Sequence, residues 1–322
     1  LNRIRSAIGW LLPVVLLAAG AALVASQVSR PAAVVDMWRP WGEIGALACA
    51  MTAIMLTGGI DLSVGSTMAL SSVCFGLAWQ HGFAWPVAAS LAVATGLGCG
   101  IGNAIVIATG VPPLVATLAT MALYAGAALA LSGGTRVAGL PEAFCEIGQG
   151  STLGLPNQFW LLAVVWCVAV VFVHHTRFGR YLYPIGENRI AARFAAIPVR
   201  QLEGCLYAAS GLLAGLVAVV YTARGGAAVP NAGAGIELQT IACVVMGGTR
   251  VTGGSGGLGR TLLGLAIMSL LDIGLQFVSH EIRLPWSGAA WQLSANARLI
   301  LLGSLVIGVA IWNERLSSRR IG

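Results

Sequence analysis

Apolar runs close to the length that crosses a bilayer follow one another along this chain, and no other feature constrains its fold as strongly. A transmembrane helix needs about 20 predominantly apolar residues. Runs that meet or approach this length lie near 8–27, 42–58, 64–80, 85–108, 113–132, 158–174, 204–222, 237–247, 259–278 and 294–312. The pattern predicts about ten helices, with a range of eight to ten: the run near 237–247 is short for a straight span, and those at 42–58 and 64–80 abut at Gly-rich sequence. Only 9% of residues are charged and 57% are hydrophobic, against about 25% charged in an ordinary soluble domain. The expected fold class is therefore an all-α integral membrane protein, a single transmembrane domain over 1–322 with the lipid bilayer as its solvent. Residues 1–27, with Arg3 and Arg5 ahead of an apolar run, read as an uncleaved first helix, because Ala21, Ala22 and Ala25 are a poor cleavage cue in so Ala-rich a chain.

Arginine placement predicts the orientation. With the N-terminus inside, the cytoplasmic parts hold Arg3, Arg5, Arg177, Arg180, Arg189, Arg193, Arg200, Arg250, Arg260, Arg315, Arg319 and Arg320. The periplasmic loops then hold Arg30, Arg39, Arg136, Arg224 and Arg283, with Arg298 near a helix end. Positive residues concentrate in cytoplasmic loops, so both termini are expected there. The net charge of +7 records that orientation and implies no nucleic-acid partner. Of the cysteines, all but Cys145 (Cys49, Cys74, Cys99, Cys167, Cys205 and Cys243) fall in apolar segments without CxxC spacing and read as small buried hydrophobes.

The chain contains no lysine, so no Gly-rich stretch completes a GxxxxGK[ST] phosphate loop. Any ATPase has to be another polypeptide, and no cofactor is expected on this one. HExxH, a nucleophile elbow and a carboxylate pair in a soluble domain are all missing from the sequence, which argues against an enzyme. His174 and His175 close an apolar run at the cytoplasmic border without partners for a metal site.

Four segments carry polar chemistry. In Leu56-Thr57-Gly58-Gly59-Ile60-Asp61-Leu62-Ser63-Val64-Gly65-Ser66, an ionised Asp at a helix centre would cost about 2.5–3.5 kcal/mol on the insertion scale, so Asp61 needs compensation. Two readings stand together: Asp61 and Ser63 cap the following helix, or Gly59, Asp61, Ser63, Gly65 and Ser66 form a hinge or pathway lining. The Gly-rich stretch 247–257 reads as a tight cytoplasmic connection. Asp272 and Gln276, four apart in an apolar helix, share a face and either line a pathway or make an interhelical hydrogen bond.

The fourth segment is the cytoplasmic loop 175–203. It is basic, and after Pro184 and Gly186 it runs through Glu187, Asn188, Arg189 and on to Ile197 before Pro198 stops it. Asn188 is a good N-cap and Glu187 suits the positive helix end, so a short helix is expected with Arg189 and Arg193 on one face. Ile190, Ala191, Phe194 and Ile197 are left to pack elsewhere. Gly96, Gly98, Gly100 and Gly102, with Gly211 and Gly215, are expected to form close helix contacts.

These stretches together resemble one family. GGIDLSVGS at 58–66, HHTRFGRYLYPIGENRIAARFAAIPV at 174–199, PNAGAGIELQTIACVVMGGTRVTGGSGGLGRTLLG at 230–264 and LLDIGLQ at 270–276 are similar to the membrane subunits of ribose-type bacterial ABC importers, which include permeases for other sugars and for autoinducer-2. The likeness covers roughly 42–312. It implies the ABC importer permease fold in the bacterial inner membrane and alternating access for a sugar or sugar-like solute. The implied partners are a second permease subunit, a cytoplasmic ATPase that uses ATP and Mg, and a periplasmic solute-binding protein. It also implies that Gly186, Glu187, Asn188, Ala191, Ala192 and Arg193 dock on the ATPase, and that the segments around 58–66 and 246–257 lie near the inner half of the pathway. Asp272 stands where relatives often have an uncharged amide. The rival expectation is an ATP-independent secondary transporter or channel, with Asp61 and Asp272 as its ion sites.

Overall fold

A helix needs an apolar face to bury and a residue type that ends it, and this chain supplies both repeatedly. The computed structural model describes residues 15–22, 35–281 and helical positions between 297 and 308. Most of the first and last apolar runs, both chain ends, and Arg3, Arg5, Arg30, Arg283, Arg298, Arg315, Arg319 and Arg320 lie outside the described residues. Between residues 39 and 281 the α-helices are, in order, α1 (Arg39–Leu56), α2 (Val64–Gln80), α3 (Trp85–Ala108), α4 (Pro113–Ser132), α5 (Glu142–Gln149), α6 (Asn157–Val170), α7 (Arg177–Glu187), α8 (Arg189–Phe194), α9 (Val199–Gly225), α10 (Ile236–Met246) and α11 (Leu258–Glu281). Two short strands, β1 (Ser151–Thr152) and β2 (Leu155–Pro156), pair between α5 and α6.

Among the described residues five helices are long and apolar enough to cross a membrane: α3, α4, α6 continued to His175, α9, and α11 as far as Gln276. Their ends follow local chemistry. α3 and α4 open with proline in the first turn, where the missing N–H costs nothing. α4 and α9 stop at Gly133 (φ +59°) and Gly226 (φ +63°), left-handed positions that glycine occupies without steric cost.

The chain forms two compact units. One comprises 42–241 with 249–258. At its centre α2 is buried on nearly every side, including Met68, Ser71, Ser72 and Phe75. α3 and α9 pack backbone to backbone: a methyl group on Gly96 or Gly211 would run into the other's carbonyl, and one on Gly215 would sit 2.9 Å from the Cα of Val93. Gly100 meets the carbonyl of Tyr207 in the same way, whereas Gly98 faces open space and Gly102 faces the Tyr124 hydroxyl. Four of the six expected contact glycines thus lie at this interface, because a 3.6-residue period places only every fourth position on one face. α5 closes one end, with Phe144 stacked on Phe75 at 4.3 Å. α6, with only Gln158 and Val165 buried, is the least covered long helix of this unit.

The other unit comprises 1–41, 242–248 and 259–322. Here the last turn of α10 meets α11 through glycine: Gly264 lies against the carbonyl of Cys243, and Gly247 against that of Arg260.

Several expectations change in detail. The loop 133–157 contains α5 and the hairpin, and 175–203 contains α7 ahead of the expected short helix. α7 was not legible because Pro184 sits inside it, and proline ordinarily marks a break. Cys49, Cys99 and Cys243 are buried as expected, but Cys167 and Cys205 are exposed, because each lies on the outward side of its helix. Arg224, assigned to a periplasmic loop, is in the last turn of α9 and forms a two-pronged ion pair with buried Glu43 at 2.7 and 3.0 Å. Arg39 opens α1 and pairs with Asp36 at 2.9 Å.

Candidate functional site

The turn between α1 and α2 carries a carboxylate that the rest of its unit satisfies. Asp61 is 2% exposed. One oxygen accepts the Ser63 N–H at 3.0 Å and the Ser63 hydroxyl at 2.7 Å, and the other accepts the Ser210 hydroxyl of α9 at 2.8 Å. A buried carboxylate is costly unless its oxygens find donors, and here one amide and two hydroxyls, one of them from α9, serve both oxygens. From Ser63 the network continues: Asn103 of α3 donates to its hydroxyl at 2.7 Å, and Tyr124 of α4 donates to Asn103 at 3.2 Å and to the Cys99 carbonyl at 2.9 Å. The Ile60 carbonyl receives Thr117 of α4 at 3.2 Å and Tyr207 of α9 at 3.4 Å. The Ser63 side chain caps no free N–H of α2; its carbonyl receives Thr67 N–H and the Ser66 hydroxyl, each at 2.8 Å. The capping reading is therefore corrected in its atoms: the Asp61 and Ser63 side chains bind each other, not the helix.

Glycine lets this turn be crossed closely. A side chain on Gly59 would meet the Tyr207 hydroxyl at 2.6 Å, and one on Gly65 would overlap the Glu237 carboxylate and the Gly233 carbonyl.

A second cluster is built almost wholly from backbone. The Gly254 N–H donates to the Leu56 carbonyl at 3.0 Å, closing the Gly-rich loop onto the end of α1. Gly186, next to last in α7, has no room for a methyl group between the Leu56 carbonyl and the Gly254 amide. Gly253 (φ +89°) would place a Cβ 2.7 Å from the Gly58 nitrogen and 2.9 Å from the Gly186 Cα. Gly254 (φ +74°) would place one 3.2 Å from the Glu187 Cα. Three segments separated in sequence thus touch main chain to main chain. Part of the stretch 247–257, read from its glycines as a tight connection, is one wall of this junction.

α8 starts one residue beyond it. The Asn188 side chain accepts from the Ile190 and Ala191 amides, both at 3.0 Å, in the expected N-cap geometry. Glu187 belongs to the end of α7, not to the start of α8. Ala192 is buried with Ile185, Val199 and Leu202, and Ile197 packs against the same group, while Arg189 is paired to Glu203 of α9. Arg193 lines a shallow depression with Pro198, Val199, Arg200 and Gln201. Ile190 and Phe194 do not pack elsewhere as expected: they are 68% and 89% exposed.

Asp272 and Gln276 lie in the other compact unit, where the Gln276 amide donates to the Asp272 carboxylate at 2.8 Å along one face of α11. Sequence reasoning passed over Asn103, Ser210, Tyr207 and Glu203. A polar or ionisable side chain inside an apolar helix is itself a signal, and applying that rule to α3 and α9 as well as to the loops finds all four.

Comparison with known proteins gives a consistent result. The model of the family described as branched-chain amino acid transport system / permease component matches residues 42–310. The chain is 36% identical to the ribose import permease protein of Escherichia coli (strain K12) over 265 residues, covering 81% of this chain and 80% of that protein. It is 35% identical to the autoinducer 2 import system permease protein of Yersinia enterocolitica (serotype O:8 / biotype 1B) over 268 residues, 80% of this chain and 81% of that one. The corresponding protein of Enterobacter sp. (strain 638) is 36% identical over 255 residues, 76% and 78% of the two chains. No solved structure matches the chain.

Proposed function

The chain belongs to the permease family described as branched-chain amino acid transport system / permease component, and from that premise we propose that it is the membrane-spanning subunit of an ATP-binding-cassette importer for a sugar or sugar-like solute. Family and five apolar helices together indicate a multi-pass membrane protein. In this reading the bilayer is the bacterial inner membrane, about ten helices cross it, and both termini are cytoplasmic. A second permease subunit completes the pathway, a periplasmic binding protein delivers solute, and a cytoplasmic ATPase that binds ATP and Mg supplies the work.

The observation that carries the proposal is the backbone junction of Leu56–Gly58, Gly186–Glu187 and Thr252–Gly254 beside a helix with bare apolar side chains. Gly186, Glu187, Asn188, Ala191, Ala192 and Arg193 form the coupling segment, and Ile190 and Phe194 give it apolar surface for the ATPase. A push on α8 passes through Gly186 into the end of α1 with no flexible side chain in between to absorb it. The turn holding Gly59, Asp61, Ser63, Gly65 and Ser66 follows at once, and its hydrogen bonds tie it to α3, α4 and α9. We assign this turn as the hinge that converts the push into alternating access. Asp272 and Gln276 are assigned to the pathway of the other unit. Both Asp61 oxygens accept serine hydroxyls, which favours a structural role for Asp61 over the ion site that the rival, an ATP-independent transporter, needs.

The test is uptake into proteoliposomes. Co-purified with its ATPase and supplied with binding protein, the chain should accumulate solute only with ATP and Mg on the ATPase side. Uptake by the chain alone, without nucleotide, would overturn the proposal.

A further inference from the structure

The hairpin before α6 has a tip that water should disfavour twice. β1 and β2 pair antiparallel, with Thr152 opposite Leu155, and the two connecting residues are Leu153 (φ +54°) and Gly154 (φ +77°). Positive φ at both positions is the tight hairpin geometry for which Asn-Gly is preferred, because a branched apolar side chain is crowded there. Leu153 is nevertheless used, and its side chain is 86% exposed. One exposed leucine is ordinary, but Leu153 is the outer end of a contiguous exposed apolar strip, and a strip of that kind marks a surface that something covers.

The surroundings identify the cover. Leu155 is 47% exposed beside it, and Trp160, 40% exposed on the first turn of α6, donates its indole N–H to the Thr152 carbonyl at 3.0 Å. That bond locks the hairpin to the outer face of α6. The same face continues through Val164, Val168 and Val171, at 62%, 63% and 56% exposure. From Ser151 to Phe172 the sequence carries no charged residue. The helical stretch Asn157–His175 has 19 residues, about 28 Å at 1.5 Å per residue, against a hydrocarbon core of about 30 Å. A helix of that length uses the whole core, so the hairpin falls at the headgroup level and Trp160 at the depth where interfacial tryptophans gather.

We infer that the 151–156 hairpin is a membrane-interface anchor. From the headgroup level the Leu153 and Leu155 side chains dip into the outermost part of the acyl chains, and the Trp160 indole marks the boundary, at the end of α6 opposite to α7 and α8. This rests on the multi-pass character of the chain and not on the importer assignment, so failure of one leaves the other standing.

The experiment uses the full chain in phosphatidylcholine nanodiscs, with Leu153→Trp compared with the parent. The emission added by the new tryptophan should be lost when the lipids are brominated near the headgroup end of their acyl chains, and should resist aqueous iodide. Quenching by iodide with no effect of bromolipid would place the tip in water and overturn the inference. Resistance to both would place the tip against protein and overturn it equally. Leu153→Asn, which suits the left-handed turn and keeps the fold, should speed amide exchange at 151–156 in the bilayer without lowering thermal stability. Unchanged exchange would also refute the anchor.

Discussion

Gly186→Ala is a one-methyl change whose consequence can be worked out from neighbouring backbone atoms. The new Cβ would fall on the Leu56 carbonyl and the Gly254 amide, neither of which can rotate away. Parting them breaks the 3.0 Å Gly254–Leu56 hydrogen bond, a loss of about 1 kcal/mol. Displacing packed backbone adds about 1–3 kcal/mol of overpacking. The sum, about 2–4 kcal/mol, should lower the thermal midpoint of the purified permease by several degrees. The functional effect should exceed the stability effect: with its ATPase in proteoliposomes, the variant should hydrolyse ATP while moving less solute per ATP. Gly98→Ala is the control, since its Cβ meets nothing within 4 Å among the described residues and alanine favours the helix by about 1 kcal/mol. If Gly186→Ala matches Gly98→Ala in both melting and solute moved per ATP, the junction is not close-packed and the coupling argument fails.

Asp61→Ala strips the acceptor from the Ser63 amide and from two hydroxyls; it should cost about 2–4 kcal/mol in a thermal melt, with Asp61→Asn intermediate and Ser210→Ala smallest. Removing Glu43 alone leaves Arg224 without its two-pronged partner and should destabilise by about 3–5 kcal/mol, whereas replacing both with apolar residues of similar volume should recover most of that loss. A melt in which the double replacement is no better than Glu43→Ala would show that the pair does not act as a unit. Ile190→Asp with Phe194→Asp, both at exposed positions, should leave the melting curve unchanged and weaken co-purification of the ATPase; full retention of the ATPase would remove α8 from the docking surface.

Legibility in the sequence tracked how local the determining physics is. Asn188 as an N-cap needs only the amides two and three residues on, so α8 and its start could be read directly. The bounds of α2, α3 and α4 were equally accessible, because apolar length, proline and glycine are local signals. α7 was hidden because Pro184 disguises it, and the 151–156 hairpin because two-residue strands leave no period to detect. Among the glycines, spacing identified a contact face but not which members lie on it: Gly96 and Gly100 meet α9 while Gly98 does not.

The amino-acid sequence by itself determined that this is a membrane chain in which no Gly-rich stretch completes a lysine-bearing phosphate loop, since apolar runs and the absence of lysine are properties of composition and order. It also marked where polar groups interrupt the helices. Only the tertiary structure decided what those groups do. Asp61 finds Ser210 across 149 positions, and the Leu56 carbonyl finds the Gly254 amide in a stretch whose glycines by themselves indicate only a tight connection. The reason is physical: in a low-dielectric interior an unpaired polar atom is costly, but the partner that satisfies it is chosen by how helices pack. No local pattern encodes that choice.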